Sequence, residues 1–404
     1  MFGRKWVPGE RTMDKKSKAP VLCGADRIDE YEALFHGRRL GLLTNPSGIL
    51  KDLTTTADKL RKDYQLCALY APEHGIRGDR QDGIFIPSYR DEATGVQVYS
   101  VYGERRMPSQ EDLDEIDMMV FDIQDVGSRY YTYIYSMTNA MIACRKKGIP
   151  FVVLDRPNLI GGIAPEGTIM EPTCTSFIGM YDFPQRYSLT IGELAWYVNE
   201  RFQIGAELFV IPLKGWKRNM FWEDTGLTWI NPSPNLPSPD AALLYNGTCM
   251  FEGTTLSEGR GTTRPFEQIG APWLSARIFA EALEEQECPG VRFRPASFIP
   301  AFGKHAGRIC HGVQVHVVDK YKVKPVEMGI RMILTAKKLG KENFVFTPPN
   351  HEKGEFTIDL MFGSSLLRKR DITIREACEA AEQGTKRFLP DWEKCCSLFS
   401  YPSE

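Results

Sequence analysis

The sequence predicts an α/β fold: a parallel sheet covered by helices on both faces, followed by a smaller second α/β region. Three observations predict it. Short, nearly uninterrupted apolar runs alternate with helix-like stretches through the first half of the chain. A segment rich in Pro, Gly, Asn and Ser then breaks that rhythm, and strand-like and helix-like segments resume beyond it. Strands apolar on both faces are strands buried on both sides, which is the condition of a parallel sheet. A chain of 404 residues exceeds one typical domain, so two are expected.

The elements follow in order. RLGLLTN (39–45) is a short strand ending in turn residues, and TTTADKLRKD (54–63) is a helix. LCALYAPEHG (66–75) is a strand running into Pro72 and Gly75, and VQVYSVYG (96–103) alternates as a half-covered strand does. SQEDLDEI (109–116) opens with a Ser N-cap and early acids, the signature of a helix start. DMMVFDIQD (117–125) is a buried strand, YTYIYSMTNAMIACRKKG (131–148) a long helix stopped by Gly148, and PFVVLDRPN (150–158) a further strand. TIGELAWYVNERF (190–202) and ELFVIPLKGW (207–216) repeat the helix–strand pair. Residues 217–272 show little periodicity, and so long an irregular stretch is usually functional or a linker. Beyond it, 275–286, 325–339 and 373–389 read as helices and 308–319 as a strand. The expected divisions are a disordered lead-in over 1–20, a sheet domain over 21–220, a connecting segment over 221–272 that contributes to the cleft, and a second α/β domain over 273–404.

Composition narrows the function. Hydrophobic residues are 42% and charged residues 25%, a globular balance. Fifty basic against 52 acidic residues give a net charge of -2 and no basic excess, so a nucleic-acid partner is not expected. Apolar runs such as 118–121 and 151–154 are too short to cross a bilayer, so no membrane partner is expected either. The ten cysteines show no CxxC spacing and read as unreactive thiols of a reducing compartment. The polar, basic N-terminus has no apolar signal core, and the expectation is a cytoplasmic protein.

Chemistry collects at strand ends. Asn45, the pair Glu73–His74, the group Asp122, Gln124 and Asp125, and the pair Asp155–Arg156 each follow an apolar strand. In an open α/β sheet ligands bind outside the carboxyl ends of the strands, so these groups are expected to converge on one cleft. A lone strand-end residue such as Asn45 reads equally well as a cap. No GxGxxG, GxxxxGK[ST] or GxSxG motif occurs, so neither a nucleotide cofactor nor that kind of serine nucleophile is indicated. His305, Cys310, His311 and His316 are close in sequence. On a strand, however, His311 and His316 face opposite ways, and Cys310 lies about 20 Å from His316, so one metal cannot take them all. Carboxylates, arginines and aromatics remain, which is the equipment of glycoside hydrolysis. Glu73, after Pro72, is the candidate acid, on the reasoning that partial burial would raise its pKa, with His74 to orient it. Asp122, Asp125, Glu166 and Glu258 are candidates for the second carboxylate. Arg77, Arg129, Arg156 and Arg260 read as substrate arginines or as structural ion-pair partners.

Together the segments LGLLTNPSGI, LYAPEHGIRGDRQDG, VFDIQDVGSRYYTYIYSM, VLDRPNLIGG, VIPLKGWKR, PSPNLPSPD, EGTTLSEGRGTTRPFEQIGAPW and CHGVQVHVVD resemble the exo-β-N-acetylmuramidase (NamZ-type) family, from about Arg39 to the C-terminus. The resemblance implies a Rossmann-like N-terminal domain, a smaller α/β C-terminal domain and a site in the cleft between them. It also implies release of N-acetylmuramic acid (MurNAc) from the non-reducing end of peptidoglycan fragments, with no metal or nucleotide cofactor. Carried over by motif, the PEHG glutamate is Glu73, which agrees with the strand-end reading; with the other strand-end candidates the expected catalytic set is Glu73, His74, Asp122 and Asp125. The expected sugar-binding set is Asn45, Arg77, Gln124, Arg129, Tyr130, Asp155, Arg156, Asn158, Asn235, Glu258 and Arg260. Arg129 or Arg260 would read the lactyl carboxylate of the sugar, a planar guanidinium matching it with two hydrogen bonds. Two departures stand out: many relatives begin with an export signal, and Leu159–Ile160 replaces an expected Pro-Leu. A non-catalytic sugar-binding protein on the same scaffold is the alternative, against which an acid beside a histidine argues.

Overall fold

The computed structural model describes residues 20–78, 88–103, 105–349 and 354–403. Nearly all of the expected lead-in over 1–20 therefore lies outside the described residues, as does most of the HEKGE segment at 351–355. The first half forms one seven-stranded sheet. Its strands are β1 (Arg39–Thr44), β2 (Gln65–Ala71), β3 (Tyr89–Arg90), β4 (Gln97–Ser100), β5 (Met118–Asp122), β6 (Phe151–Leu154) and β7 (Leu208–Ile211). The order is β3-β4-β2-β1-β5-β6-β7, with every pairing parallel except β3 with β4.

The alternation inside each apolar run explains why two layers of helices are needed. In β5, Met119 and Phe121 point into one core while Met118 and Val120 point into another; Val153 and Val152 of β6 divide in the same way. The first core takes the helix Tyr133–Lys147, which ends at Gly148 with φ 75°. Left-handed φ is what lets the Gly148 N–H turn back to the carbonyls of Cys144 and Arg145. The helix Ile191–Arg201 starts with a reciprocal capping box between Thr190 and Glu193.

Several elements differ from expectation. Residues 109–116 form turns rather than a helix. Ser109 and Asp112 do cap each other, at 2.9 and 3.1 Å, but the following bonds are short-range turns that lead Leu113 and Ile116 into the core. Two strands absent from the sequence reading, β8 (Gln268–Ala271) and β9 (Val291–Phe298), pair with β10 (Cys310–Val317) in an antiparallel sheet ordered β8-β10-β9. The weakly periodic region after 217 contains the helix Pro239–Thr248, capped by Ser238 and buried from Ala241 to Thr248. It crosses the helix Pro325–Gly340 so closely that a Cβ on Gly247 would stand 1.9 Å from the Pro325 carbonyl oxygen. Finally, the last helix runs through Pro390 to span Ile374–Phe399 and packs against both Ile191–Arg201 and Pro325–Gly340.

Candidate active site

The sheet reverses its winding between β1 and β5, where a doubly wound sheet opens its crevice. Here that crevice is closed. The Thr44 hydroxyl donates to the Asp122 carbonyl at 2.8 Å, the Ser47 hydroxyl receives the Gln124 N–H at 2.8 Å, and the turn at Gly48 presses onto both strands. About 20 Å³ remains beside Arg156 and Gln124, room for one water and no sugar.

The open cleft, about 450 Å³, lies farther along the same edge, over the end of β2. Glu73 and His74 form one wall. His74 (φ 71°) and Gly75 (φ 77°) are both left-handed, so the chain turns back sharply and the Gly75 N–H reaches the Pro72 carbonyl at 3.1 Å. A histidine held at positive φ is uncommon backbone, and here it borders the cleft. Glu73 Oε1 accepts from the Tyr102 hydroxyl at 2.6 Å and Oε2 from the Thr132 hydroxyl at 2.9 Å. Thr132 stands at the N-cap of Tyr133–Lys147 but makes no side-chain cap, giving its hydroxyl to Glu73 instead. Each hydroxyl can rotate to donate or accept, so the pair supports Glu73 as carboxylate and as acid. Tyr133 Oη donates to the carbonyls of Glu73 and Pro232, at 3.3 and 3.2 Å.

The opposite wall comes from the region after 217. Asn45 Nδ2 holds the Pro232 carbonyl at 3.1 Å and so places Ser233 and Asn235 against the cleft. Glu252 lies in the turn after the helix Pro239–Thr248, and Arg260 donates to its Oε1 at 2.7 Å. Enclosure raises the Glu252 pKa; Arg260 opposes the rise, and neighbouring Glu258 adds to it. The Arg260 guanidinium lies 5.1 Å from the Phe266 ring centre, and Arg106 lies 4.3 Å from that of Phe177. Aromatic faces thus hold two cations at the cleft. Tyr130, Tyr131 and Tyr245 complete an aromatic lining.

Of the residues singled out from sequence, Glu73, His74, Tyr130, Asn235 and Arg260 line this cleft. The others do not, and each has work elsewhere. Asp122 is fully buried, with Arg156 Nε on Oδ1 at 2.5 Å, Arg156 Nη2 on Oδ2 at 2.9 Å and the Thr56 hydroxyl on Oδ2 at 2.5 Å. Asp155 accepts from Tyr401, Thr190 and the N–H groups of Gly192 and Arg156, and burial pushes it up to about 6. Asp125 accepts from the Tyr187 hydroxyl and the Gly127 N–H, and burial pushes it up to about 7. Arg129, a candidate for the lactyl carboxylate, lies away from this cleft: its guanidinium is buried and donates to the carbonyls of Thr168, Phe183 and Met361 at 2.7–2.8 Å. Arg77 is clamped on Asp91 at 2.8–3.1 Å. Asn158 Nδ2 donates to the Leu189 carbonyl, and Gln124 Nε2 donates to the carbonyls of Asp125 and Pro157. Glu258 sits behind Arg260, bound to Lys304 at 3.0 Å, and Glu166 lines a separate cavity. In the candidate metal group, His305 meets the Thr255 carbonyl, His311 the Ser297 hydroxyl and His316 the Arg294 guanidinium, while Cys310 is buried.

Comparison with known proteins places this architecture. Residues 40–240 match the family model described as exo-beta-N-acetylmuramidase NamZ, N-terminal, and residues 243–397 match its C-terminal counterpart. The chain belongs to the NamZ exo-β-N-acetylmuramidase family. It is 48% identical over 388 residues to the peptidoglycan beta-N-acetylmuramidase NamZ of Bacillus subtilis (strain 168), covering 95% of this chain and 90% of that protein. Two crystal structures of DUF1343 family proteins from Bacteroides fragilis share the fold. One has a TM-score of 0.84 at 35% identity over 95% of this chain and 99% of its own. The other has 0.75 at 26% identity, over 93% and 98%.

The cleft is also lined by Tyr102, Arg106, Thr132 and Glu252, which the sequence reading did not single out. The two glutamates of EGTTLSEGRG, Glu252 and Glu258, were both on view, but only the turn geometry of Cys249–Gly253 decides which one faces the cleft.

Proposed function

We propose that this chain is a glycoside hydrolase that releases MurNAc from the non-reducing end of peptidoglycan fragments. The observation that carries the reading is Glu73, suspended between two hydroxyls on the wall of a 450 Å³ cleft that Glu252 and Arg260 also line. A volume of that size is in the range of small-ligand sites, about 300–1,000 Å³. The curated relative named as a peptidoglycan beta-N-acetylmuramidase supports the substrate class.

In this reading Glu73 gives its proton to the glycosidic oxygen as the bond to the anomeric carbon breaks, and water completes the exchange. Glu252 serves as the second carboxyl group, a role the sequence reading sought among Asp122, Asp125, Glu166 and Glu258. Arg260, with Arg106 across the aromatic lining, takes the lactyl carboxylate that distinguishes MurNAc from N-acetylglucosamine (GlcNAc). A purely sugar-binding protein has no use for an acid whose proton two rotatable hydroxyls can follow. Among the described residues no helix is long and apolar enough to cross a membrane. All ten cysteines are free thiols, which supports work in a reducing compartment, on imported fragments during wall recycling. The test is incubation with MurNAc–GlcNAc or a chromogenic β-MurNAc glycoside. Free MurNAc is the expected product, and its absence at every pH would reject the enzyme reading. Cell fractionation tests the compartment, and recovery from the medium or wall of intact cells would reject it.

A further inference from the structure

Behind the cleft stand two charged side chains that do not line it, Lys304 and Glu258. Lys304 belongs to the connection between β9 and β10, so it reaches the site from the second sheet. An ammonium has three donors and no acceptor, and here each donor finds an oxygen. Lys304 Nζ donates to the Phe251 carbonyl at 2.7 Å, to the Leu256 carbonyl at 3.1 Å and to Glu258 Oε2 at 3.0 Å. Phe251 immediately precedes Glu252, and Leu256 stands just ahead of Glu258. One cation therefore ties down the backbone that leads into both glutamates. The neighbouring His305 Nε2 meets the Thr255 carbonyl at 2.7 Å, so the same stretch is gripped twice.

From Lys304 the charges alternate toward the cleft. Glu258, 4% exposed, gives Oε2 to Lys304 and turns Oε1 toward Arg260 Nε, 3.7 Å away. Arg260 Nη2 then donates to Glu252 Oε1 at 2.7 Å, and Glu252 is the carboxyl group that reaches the cleft. We propose that Lys304 and Glu258 are positioning residues: Lys304 fixes the turn that carries Glu252, and Glu258 aims Arg260 at it. The proposal rests on the reading of Glu252 as the second carboxyl group of a glycosidase, which has to be ionised to activate water or attack the sugar. Enclosure raises the Glu252 pKa, Arg260 lowers it, Glu258 raises it and Lys304 lowers it. Other titratable groups stand nearby. Cys249 Sγ lies 3.7 Å from Glu252 Oε1, Tyr245 belongs to the helix before it, and Asp359, on the packed helix Thr357–Phe362, is held by Arg368 at 2.6 Å. Glu73, His74 and Arg106 line the same cleft.

The experiment titrates the Glu252 carboxyl group by ¹³C NMR in the full chain labelled at its glutamate carboxyls, with Glu252→Gln to assign the signal. The pH dependence of kcat/KM on a β-MurNAc glycoside is measured beside it. Lys304→Met removes a cation and should raise the Glu252 pKa by about 0.5 or more; Glu258→Gln removes an anion and should lower it by about as much. The acid limb of the rate profile should move with it, in the same two opposite directions. A merely structural role would lower the melting temperature, and the rate at every pH, without moving the limb. Glu258→Gln keeps the side chain's shape and decides the matter alone should Lys304→Met not fold. Glu252 titrating as in wild type in the folded variants would overturn the proposal and leave the glycosidase reading standing. Opposite shifts of the signal in a chain that releases no MurNAc would uphold the positioning of Glu252 and reject the glycosidase reading alone.

Discussion

At the carboxyl ends of β5 and β6, Asp122, Arg156, Asp155 and Thr190 form a buried polar cluster. Two strands away, beyond the end of β2, Glu73, His74, Glu252 and Arg260 line the open cleft, with Glu73, Glu252 and Arg260 only partly buried. The residue types are alike and both clusters sit at the edge where a doubly wound sheet binds its ligands. Their occupancy differs. Every oxygen of Asp122 and Asp155 is taken by the protein, and the space beside Arg156 is about 20 Å³. Glu73 is held by hydroxyls that can reverse their hydrogen bonds, beside about 450 Å³. A buried charge must be paired, so acids and arginines gathered at a sheet edge satisfy one another unless room is left for a ligand. Charge at strand ends therefore locates the edge of the sheet, and free volume picks out the candidate site along it.

Asp122→Asn breaks this comparison most forcefully. Leaving Arg156 buried beside a neutral partner should cost about 3–5 kcal/mol, seen as a large fall in denaturation midpoint, while turnover per folded molecule stays close to native. A specific loss of turnover at unchanged stability would move Asp122 back into the chemistry.

Asp125 sharpens the comparison through pH. Its ordinary value is 3.8 and burial raises it to about 7 in the fold. The folded state holds that proton more tightly than the unfolded chain, so the group's contribution is complete below about 3.8 and is lost as pH rises through about 7. Asp125→Asn mimics the protonated form. Its stability should match wild type near pH 4 and exceed it near pH 8 by as much as a few kcal/mol, since each tenfold difference in proton affinity is worth about 1.4 kcal/mol. Parallel stability curves would mean that Asp125 does not titrate in this way.

These examples mark what was legible in the sequence. Apolar runs located β1, β2, β5 and β6 because burial on both faces keeps polar residues out of a strand's interior, and the stretch 190–202 reads as the helix it forms. The helix Pro239–Thr248 was hidden because it is buried all round and shows no amphipathic period. β9 was hidden because exposed Arg292, Arg294 and Pro295 break its apolar alternation. Glu73 was legible as an acid ending an apolar strand. Glu252 was not, because no strand precedes it and its direction depends on a short turn packed against the helix Thr357–Phe362. The burial of Arg129 was not legible, because an arginine clamped on three carbonyls looks, in sequence, like an arginine awaiting a carboxylate.

Within the cleft the expected effects are smaller and graded. Arg260→Ala should reduce kcat/KM on a MurNAc glycoside roughly ten- to hundred-fold, the worth of a charge-assisted hydrogen bond, and change a GlcNAc analogue much less. Equal loss on both would make Arg260 a support for Glu252 alone. Tyr102→Phe removes one of the two hydroxyls on Glu73 and should reduce kcat by about three- to tenfold with KM little changed. An unaltered kcat would show that Thr132 suffices.

Glu73→Gln tests the central claim most directly, because it keeps the side chain's shape and both hydroxyl neighbours while removing the transferable proton. Turnover of a β-MurNAc glycoside, measured beside the melting temperature, should fall by about 10²–10⁴-fold with folding intact. Near-native turnover in the folded variant would contradict the assignment of catalysis to this cleft.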